Sequence, residues 1–237
     1  MCEYSENLSK IPGIAHGFFD NSFGNMSTKV PDRLSYVIRN RLSAMHYLNL
    51  NNNTFILAPL EHTNNVLFID KNNLNSYSQE SYDALVTNLE NVVLAVTYAD
   101  CVPIIMATEK GSIIAIIHAG WRGIQQNIIK NTIDLIRANT TESLYASIGP
   151  CISQESFMVE KDVADRFTIY NEDININNNK YFINLLNIVI KQIKNENINN
   201  IDKVGGYTDK DLQKYFSYRI QKNKSGRHMA LVSKSKL

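Results

Sequence analysis

Residues 92–123, VVLAVTYADCVPIIMATEKGSIIAIIHAGWRG, decide the fold. This stretch contains three apolar runs, at 92–96, 104–106 and 113–117, in which β-branched side chains predominate. Continuous apolar runs of this length, without alternating polar residues, are typical of strands buried on both faces. The chain is therefore predicted to have central strands that are covered on each side.

Helical periodicity flanks this central region. Apolar residues recur at helical spacing over 32–48, and again on one face between Gly123 and Arg137. The remaining predictions are strands over 54–57, 66–69, 145–148 and 228–232, helices over 161–167, 185–193 and 209–215, and a polar loop over 170–179. Because helices interleave with strands that cluster centrally, we predict an α/β (α+β) fold with mixed β-sheets, in a single domain over 1–237.

The bulk composition excludes several classes of partner. The chain has 24 basic and 23 acidic side chains and a formal net charge of +1, which gives no electrostatic basis for binding nucleic acid or an anionic membrane. No apolar stretch approaches the roughly 20 residues that span a bilayer, and residues 1–6 do not resemble a secretory leader. Three cysteines are too few for a disulfide framework. We therefore expect a cytoplasmic protein.

Polar residues follow the buried strands at their ends. Asp100 and Cys101 come after the first apolar run, His118 ends the third, and His62 lies between two predicted strands. A lone histidine or cysteine is more often an ordinary core residue, but several polar groups buried without partners would each cost about 1–3 kcal/mol. Two imidazoles and one thiolate suit zinc and leave its fourth position open, as in catalytic sites. The sequence thus predicts zinc on His62, Cys101 and His118.

Six motifs occur in an order that identifies a family. They are DALVT (83–87), ADCVP (99–103), HAGWRG (118–123), IGPCI (148–152), FSYR (216–219) and SGR (225–227). Together they resemble the laccase-domain family, also called the polyphenol oxidase or YfiH-like family. The resemblance extends from about His62 to the end, with a weaker match at 16–19.

This resemblance implies both a fold and a function. The fold is an α-β-β-α sandwich, and the metal is zinc on His62, Cys101 and His118. The implied activity is that of a purine nucleoside phosphorylase, whose partners are a purine nucleoside and phosphate. Adenosine deaminase and methylthioadenosine phosphorylase activities are implied as well.

Catalytic roles are assigned as hypotheses to Cys101, Arg122 and Asp100. Arg122 lies where a loop opens a helix, and it is predicted to bind phosphate or the anionic side of the substrate; the alternative is a salt bridge that covers the helix start. Asp100 either orients a metal-bound histidine or acts as a base, and both interpretations are open. Trp121 either packs the loop or stacks on a base, and Arg219 and Arg227 either bridge carboxylates or reach the site; the structural role is preferred for each. Cys151 is predicted to be packed rather than reactive.

The chain departs from the family pattern at three places. Residues 20–24, DNSFG, stand where the family has a Thr-Arg pair and two glycines, and the following loop is short. Leu60 replaces a family glutamine, and Tyr207 replaces a cysteine. Losing an arginine would weaken substrate or phosphate binding while leaving the zinc ligands intact. A catalytically degenerate zinc-binding protein, with an interaction or regulatory role, is therefore an alternative.

The metal and the thiol each allow a second interpretation. Copper is less favoured than zinc, because a chain with 5 histidines cannot supply a blue-copper site plus a trinuclear centre; a single copper on the three ligands, with Met106 as an axial ligand, is the remaining form. A cysteine hydrolase would use Cys101 as nucleophile, His118 as base and Asp100 to orient the base.

Overall fold

The structure is a computed structural model that describes residues 1–76 and 80–235. Its strands are β1 (Cys2–Glu3), β2 (Ile14–Phe19), β3 (Thr54–Leu57), β4 (Val66–Ile69), β5 (Ala84–Thr87), β6 (Val92–Tyr98), β7 (Val102–Thr108), β8 (Ile114–Ala119), β9 (Leu144–Ile148), β10 (Met158–Val159), β11 (Ile174–Asn177), β12 (Lys180–Ile183), β13 (Asn200–Lys203) and β14 (His228–Lys234). Its α-helices are α1 (Glu6–Ser9), α2 (Leu34–Tyr47), α3 (Trp121–Gln125), α4 (Ile128–Arg137), α5 (Lys161–Ala164), α6 (Leu185–Asn195) and α7 (Tyr218–Gln221). Short 3-10 segments occupy Asn21–Phe23, Asp165–Asp173 and Lys222–Lys224.

Two large mixed sheets form the centre of the molecule. One has the strand order β1-β2-β14-β6-β3, and the other has the order β13-β9-β7-β8-β5-β4. Strand β14 pairs antiparallel with both β2 and β6, whereas β3 pairs parallel with β6. A small sheet, β10-β12-β11, lies apart from these two. The prediction of mixed sheets is confirmed.

The alternation of side chains along the strands generates the layers. In β7, Ile104 and Met106 point into a core shared with α4 and α6, while Ile105 points into a core shared with Leu94 and Val96 of the other sheet. The opposite face of β6 packs on α2 in a third core. Each central strand is therefore buried on both faces, and the predicted α-β-β-α sandwich is confirmed. That residues 1–237 form one domain stays a prediction.

Local polar contacts explain where the predicted elements were wrong. The helix expected after Gly123 is interrupted, because Asn127 adopts a left-handed conformation (φ 65°) between α3 and α4. The helix expected over 209–215 is absent; the chain forms turns there, and the Asp209 carboxylate accepts hydrogen bonds from the N–H and hydroxyl of Ser153.

The third helical prediction and the loop prediction also need correction. The helix predicted over 161–167 ends at Ala164 and continues as a 3-10 segment. The loop predicted over 170–179 contains strand β11 and the tight turn to β12, in which Asn178 and Asn179 both have positive φ. Asparagine tolerates this conformation, which the favoured two-residue hairpin turns require.

No helix within residues 1–76 and 80–235 is long and apolar enough to cross a membrane.

A buried histidine in β14 predicts an acid-labile fold. His228 is fully buried and accepts a hydrogen bond from the Phe216 N–H (2.8 Å), and burial lowers its pKa to about 4. Unfolding restores an ordinary pKa of 6.5. The stabilisation by neutral His228 is therefore complete above pH 6.5 and is lost as the pH falls towards 4, a loss of about 3 kcal/mol.

Urea unfolding at pH 7.5 and pH 5 measures this effect. The variant His228→Gln, which keeps a hydrogen-bond acceptor but does not titrate, should lose less unfolding free energy on acidification than the wild type. The control variant His46→Gln alters an exposed histidine and should keep the wild-type pH dependence. An equal loss of unfolding free energy between pH 7.5 and pH 5 in the wild type and in His228→Gln would contradict the attribution of the acid lability to His228.

Candidate metal centre

The three predicted ligands come from three separate segments of the chain, two loops and the end of one strand, and lie close together. Cys101 lies in the tight link between β6 and β7, His118 lies near the end of β8, and His62 lies in the loop between β3 and β4. The pairing of Pro103 with His118 brings the start of β7 beside the end of β8. The ligand atoms of the three side chains lie within 4.8 Å of one another, and Cys101 Sγ is 3.8 Å from His62 Nε2.

The backbone is specialised at this point. His62 has a positive φ of 59°, and Asp100 has one of 86°, which turns the chain between β6 and β7. Position 120 has no room for a side chain, because a Cβ there would lie 2.8 Å from the His62 ring and 3.4 Å from Cys101 Sγ. Any larger residue at 120 would therefore displace a ligand.

Asp83 organises the centre from beneath. Its buried carboxylate accepts the Nδ1–H of His118 (2.7 Å) and the backbone N–H groups of Glu61 (3.1 Å), His62 (3.1 Å) and Thr63 (2.7 Å), together with the Thr63 hydroxyl (2.9 Å). The bond to Nδ1 leaves His118 Nε2 as the free ring nitrogen, as is usual for metal-bound histidines. One carboxylate thus fixes one ligand ring and the loop of another.

The charges of the buried groups depend on one another. Burial raises the pKa of the Asp83 carboxyl, but the hydrogen bond and charge of His118 and the backbone donors outweigh it and lower that pKa to about 2. Burial likewise opposes ionisation of the Cys101 thiol, whereas the charge and hydrogen bonds of the two histidines lower its pKa. Burial disfavours protonated His118, but the Cys101 thiolate and Asp83 raise its pKa above its ordinary value. Without a metal, a thiolate–imidazolium pair is favoured.

The donor set fits a tetrahedral zinc ion. A thiolate and two imidazoles at normal zinc distances of about 2.3 and 2.0–2.1 Å would lie about 3.3–3.6 Å apart. The Cys101 Sγ to His62 Nε2 distance of 3.8 Å is close to this range, and all three ligand atoms lie within 4.8 Å of one another. His118 is buried, Cys101 is partly exposed and His62 is exposed, so protein surrounds the centre on one side only. The other side opens into a cavity of about 560 Å³. An ion held by these three residues would keep a position facing that cavity.

The cavity has a polar wall with two cationic side chains. Besides the three ligands it is lined by Ser27, Lys29, Leu60, Glu61, Thr97, Tyr98, Ala99, Tyr218, Asn223 and Arg227. Lys29 Nζ donates to the Leu60 carbonyl (2.5 Å) and to Glu61 Oε1 (2.6 Å). Lys29 comes from the loop after residues 20–24, the segment that departs from the pattern of the family that the sequence resembles, so this loop still contributes a cation to the cavity.

Neither Asp100 nor Arg122 directs its side chain as its predicted catalytic role requires. Asp100 is next to Cys101, but its carboxylate accepts hydrogen bonds from the Thr208 hydroxyl (2.7 Å) and the Arg219 backbone N–H (2.6 Å). These bonds favour a positioning role over a base. Arg122 lies in α3, is exposed, stacks 4.3 Å above the Trp121 ring and is not among the residues lining the cavity.

The structural roles predicted for other residues are only partly correct. Arg219 and Arg227 bridge no carboxylate within the described residues; the Arg219 guanidinium donates to the Met158 carbonyl (2.8 Å) and that of Arg227 to carbonyls of its own loop. Trp121 is partly buried and packs against the core beneath α4. Cys151 is fully buried, and burial raises its pKa to about 12.

Asp83 is the site residue that sequence reasoning missed. In the sequence, Asp83 is notable only as the first residue of the DALVT motif. Asp100 is instead assigned the supporting role because it is next to the predicted ligand Cys101. A charged residue at the start of an otherwise apolar strand is the available indication. Pairing of β5 with β8 places Ala84 opposite Ile117, which brings Asp83 beside His118.

Comparisons with known proteins agree with the motifs. A family model described as multi-copper polyphenol oxidoreductase laccase matches residues 9–235. A Haemophilus influenzae protein named purine nucleoside phosphorylase is 32% identical over 157 residues, 63% of this chain and 64% of that protein's length. A Rickettsia conorii protein of the same name is 28% identical over 87% of this chain and 88% of its own. The crystal structure of Bacillus licheniformis YfiH has a TM-score of 0.85 at 23% identity, covering 94% and 93% of the two chains.

Proposed function

This chain belongs to the multi-copper polyphenol oxidoreductase laccase family, and we propose that it is a zinc-dependent purine nucleoside phosphorylase. The observation that carries the proposal is a His-Cys-His ligand set that faces a cavity with cationic and aromatic walls. The names of the Haemophilus and Rickettsia relatives support the substrate class. Adenosine deamination and methylthioadenosine phosphorolysis are proposed as further activities of the same cavity.

The proposed reaction exchanges a base for phosphate at the sugar. A phosphate oxygen forms a bond to C1′ while the C1′–N9 bond breaks, and the electron pair of that bond stays on N9. The proton that phosphate loses is taken up by the base, so the products are ribose 1-phosphate and free base. The protein has to hold phosphate and nucleoside in line with each other.

The residues of the centre have distinct tasks in this proposal. His62, Cys101 and His118 would hold zinc, which supplies Lewis acidity when bound. Asp83 keeps the proton of His118 on Nδ1 and so directs Nε2 towards the centre. The Tyr218 ring on the cavity wall offers a surface on which a purine can stack.

The family description mentions several coppers, but the described residues offer a single ligand cluster. Two further histidines are committed elsewhere: His16 Nε2 accepts the Ser5 N–H (3.0 Å), and His228 bonds Phe216. A blue-copper site plus a trinuclear centre needs far more imidazoles than this cluster contains. The ligand inventory therefore favours one metal ion and a reaction other than multicopper oxidation.

Chromatography of a nucleoside panel with and without phosphate tests the proposed function. The zinc-loaded protein is incubated with adenosine, inosine, guanosine and methylthioadenosine. Free base that appears only with phosphate indicates phosphorolysis, and inosine formed from adenosine indicates deamination. Zinc binding without turnover of any of the four would contradict the proposal and favour a catalytically degenerate zinc-binding protein.

A second candidate is a cysteine hydrolase, favoured by one specific arrangement. His118 lies between the Cys101 thiol and the Asp83 carboxylate, in the manner of a nucleophile, base and orienting acid. The orienting residue would be Asp83 rather than Asp100, whose carboxylate faces Thr208 and Arg219. This candidate requires the thiol to be free of metal.

Thiol alkylation separates the two candidates. Cys101 borders the open cavity, whereas Cys2 and Cys151 are buried and burial raises the pKa of each to about 12. Chelator-treated native protein should therefore react with iodoacetamide at one cysteine, identified as Cys101 by peptide mass mapping. Added zinc should slow that reaction at least tenfold, and retained alkylation in the fully metallated protein would favour the hydrolase.

A further inference from the structure

We propose that Arg227 is the residue that binds inorganic phosphate in the cavity. This assignment rests on the proposed function and names the subsite of its anionic co-substrate. It differs from the assignment of phosphate to Arg122 that the sequence favoured.

Arg227 is fixed at the cavity wall by its backbone. Its N–H donates to the Asn25 side-chain oxygen (3.0 Å), and its carbonyl accepts the Met26 N–H (3.0 Å). The preceding Gly226 lies so close to the Phe216 ring that a Cβ would be 2.7 Å from it. A residue clamped in this way presents its side chain in a defined direction, as a binding site requires.

The guanidinium is oriented but not neutralised. Nη1 donates to the carbonyls of Ser225 (2.8 Å) and Gly226 (2.9 Å), and the group lies 5.2 Å above the Tyr218 ring. Within residues 1–76 and 80–235, no carboxylate forms an ion pair with it. Burial lowers the pKa of Arg227, and the charges of Cys101 and then Asp100 oppose that effect from a distance. The Asp100 oxygens already accept hydrogen bonds from Thr208 and Arg219, and Cys101 is a proposed ligand of the metal.

A half-buried guanidinium without a counter-ion favours an anionic ligand. Arginine stays protonated in proteins, and its planar fork binds phosphate oxygens in a bidentate manner. Lys29, on the same cavity wall, adds a second positive charge, although it is shared with Glu61. Because Arg227 and the three metal ligands line one cavity, phosphate on Arg227 would lie beside a nucleoside in that cavity.

Arg122 lacks these features. It is exposed and stacks on Trp121, and it does not line this cavity. Helix α3 has only five residues, so its start offers a weak dipole. Arg227 is the arginine that lines this cavity, and the other cation of the lining, Lys29, is paired with Glu61.

Calorimetric titration of inorganic phosphate into the zinc-loaded protein tests the assignment without requiring turnover. We expect phosphate to bind the wild-type protein. It should bind Arg227→Gln 10- to 100-fold more weakly, because the substitution removes a charged hydrogen-bond donor. Arg227→Lys, which keeps the charge but not the fork, should be intermediate. Arg39→Gln, which alters an arginine stacked on Tyr36 in α2, should bind phosphate as the wild type does. Zinc content and circular dichroism confirm that each variant is folded.

Three outcomes would overturn the proposal. They are undetectable phosphate binding by the wild type, unchanged binding by Arg227→Gln, and a loss confined to Arg122→Gln. If phosphate binds through Arg227 but no nucleoside is cleaved, the subsite stands and the proposed reaction fails. If cleavage occurs, the KM for phosphate should rise in Arg227→Gln while the KM for nucleoside changes less than twofold.

Discussion

Cys101→Ser is expected to weaken zinc binding by more than 100-fold and to abolish the proposed phosphorolysis. Serine has nearly the same shape, but its hydroxyl stays protonated near neutral pH and is a poor zinc ligand compared with a thiolate. The expected loss exceeds the 10- to 100-fold that follows when a hydrogen-bond partner of a ligand is removed. Competition with a chromophoric chelator measures the affinity.

The other cysteines provide a matched control for that variant. Cys151→Ala alters a fully buried thiol that lies outside the ligand cluster. It should cost some stability through the lost packing while keeping the zinc affinity of the wild type. Equal zinc affinities of Cys101→Ser and the wild type would show that the thiol is not a ligand.

Asp83→Ala is expected to be the most destabilising single change at the centre. It would leave the His118 Nδ1–H and the N–H groups of the 61–63 loop without their acceptor in a buried position. We expect a loss of about 3 kcal/mol or more in unfolding free energy, and a 10- to 100-fold loss in zinc affinity. Urea unfolding of the metal-free protein and chelator competition measure the two effects separately.

A buried carboxylate far from the centre provides a control that distinguishes the positioning of the zinc ligands from a general loss of stability. Asp173 is 2% exposed and accepts hydrogen bonds from Asn187 (2.5 Å) and Lys191 (2.7 Å). Asp173→Ala should lower the unfolding free energy but leave the zinc affinity unchanged. Asp83→Asn, which retains one acceptor oxygen, should have a smaller effect on stability than Asp83→Ala. Comparable zinc affinities of Asp83→Ala and Asp173→Ala would refute the positioning role.

The layers of this fold could be predicted because burial on both faces leaves a clear pattern in the sequence. The runs at 92–96 and 104–106 lie within β6 and β7, and residues 114–117 of the third run lie within β8. The strands predicted over 54–57 and 66–69 have the same bounds in the structure. Apolar periodicity reports burial directly, since each buried strand needs apolar side chains towards both layers. The order of strands within the two sheets was not predictable, because it depends on pairings between distant segments.

The missed features depend on single polar contacts. Asn127 interrupts a helical pattern, and Ser153 holds Asp209 in a turn where periodicity indicates a helix. At the site, the sequence suggested His62, Cys101 and His118 because their residue types are distinctive, and the structure brings these three side chains together. The residues that support this cluster could not be recognised in the same way. Asp83 lies 35 residues from His118 in the sequence. Arg227 is held at the cavity by a hydrogen bond from its backbone N–H to Asn25, near the other end of the chain.

X-ray absorption at the zinc edge, on protein purified without added metal, tests the central claim most directly. We expect about one zinc per chain, with one sulfur at about 2.3 Å and nitrogen or oxygen ligands at about 2.0–2.1 Å. The sulfur contribution should be lost in Cys101→Ser and retained in Cys151→Ala. Stoichiometric copper with strong visible colour, or zinc without a sulfur ligand, would contradict a zinc centre on His62, Cys101 and His118.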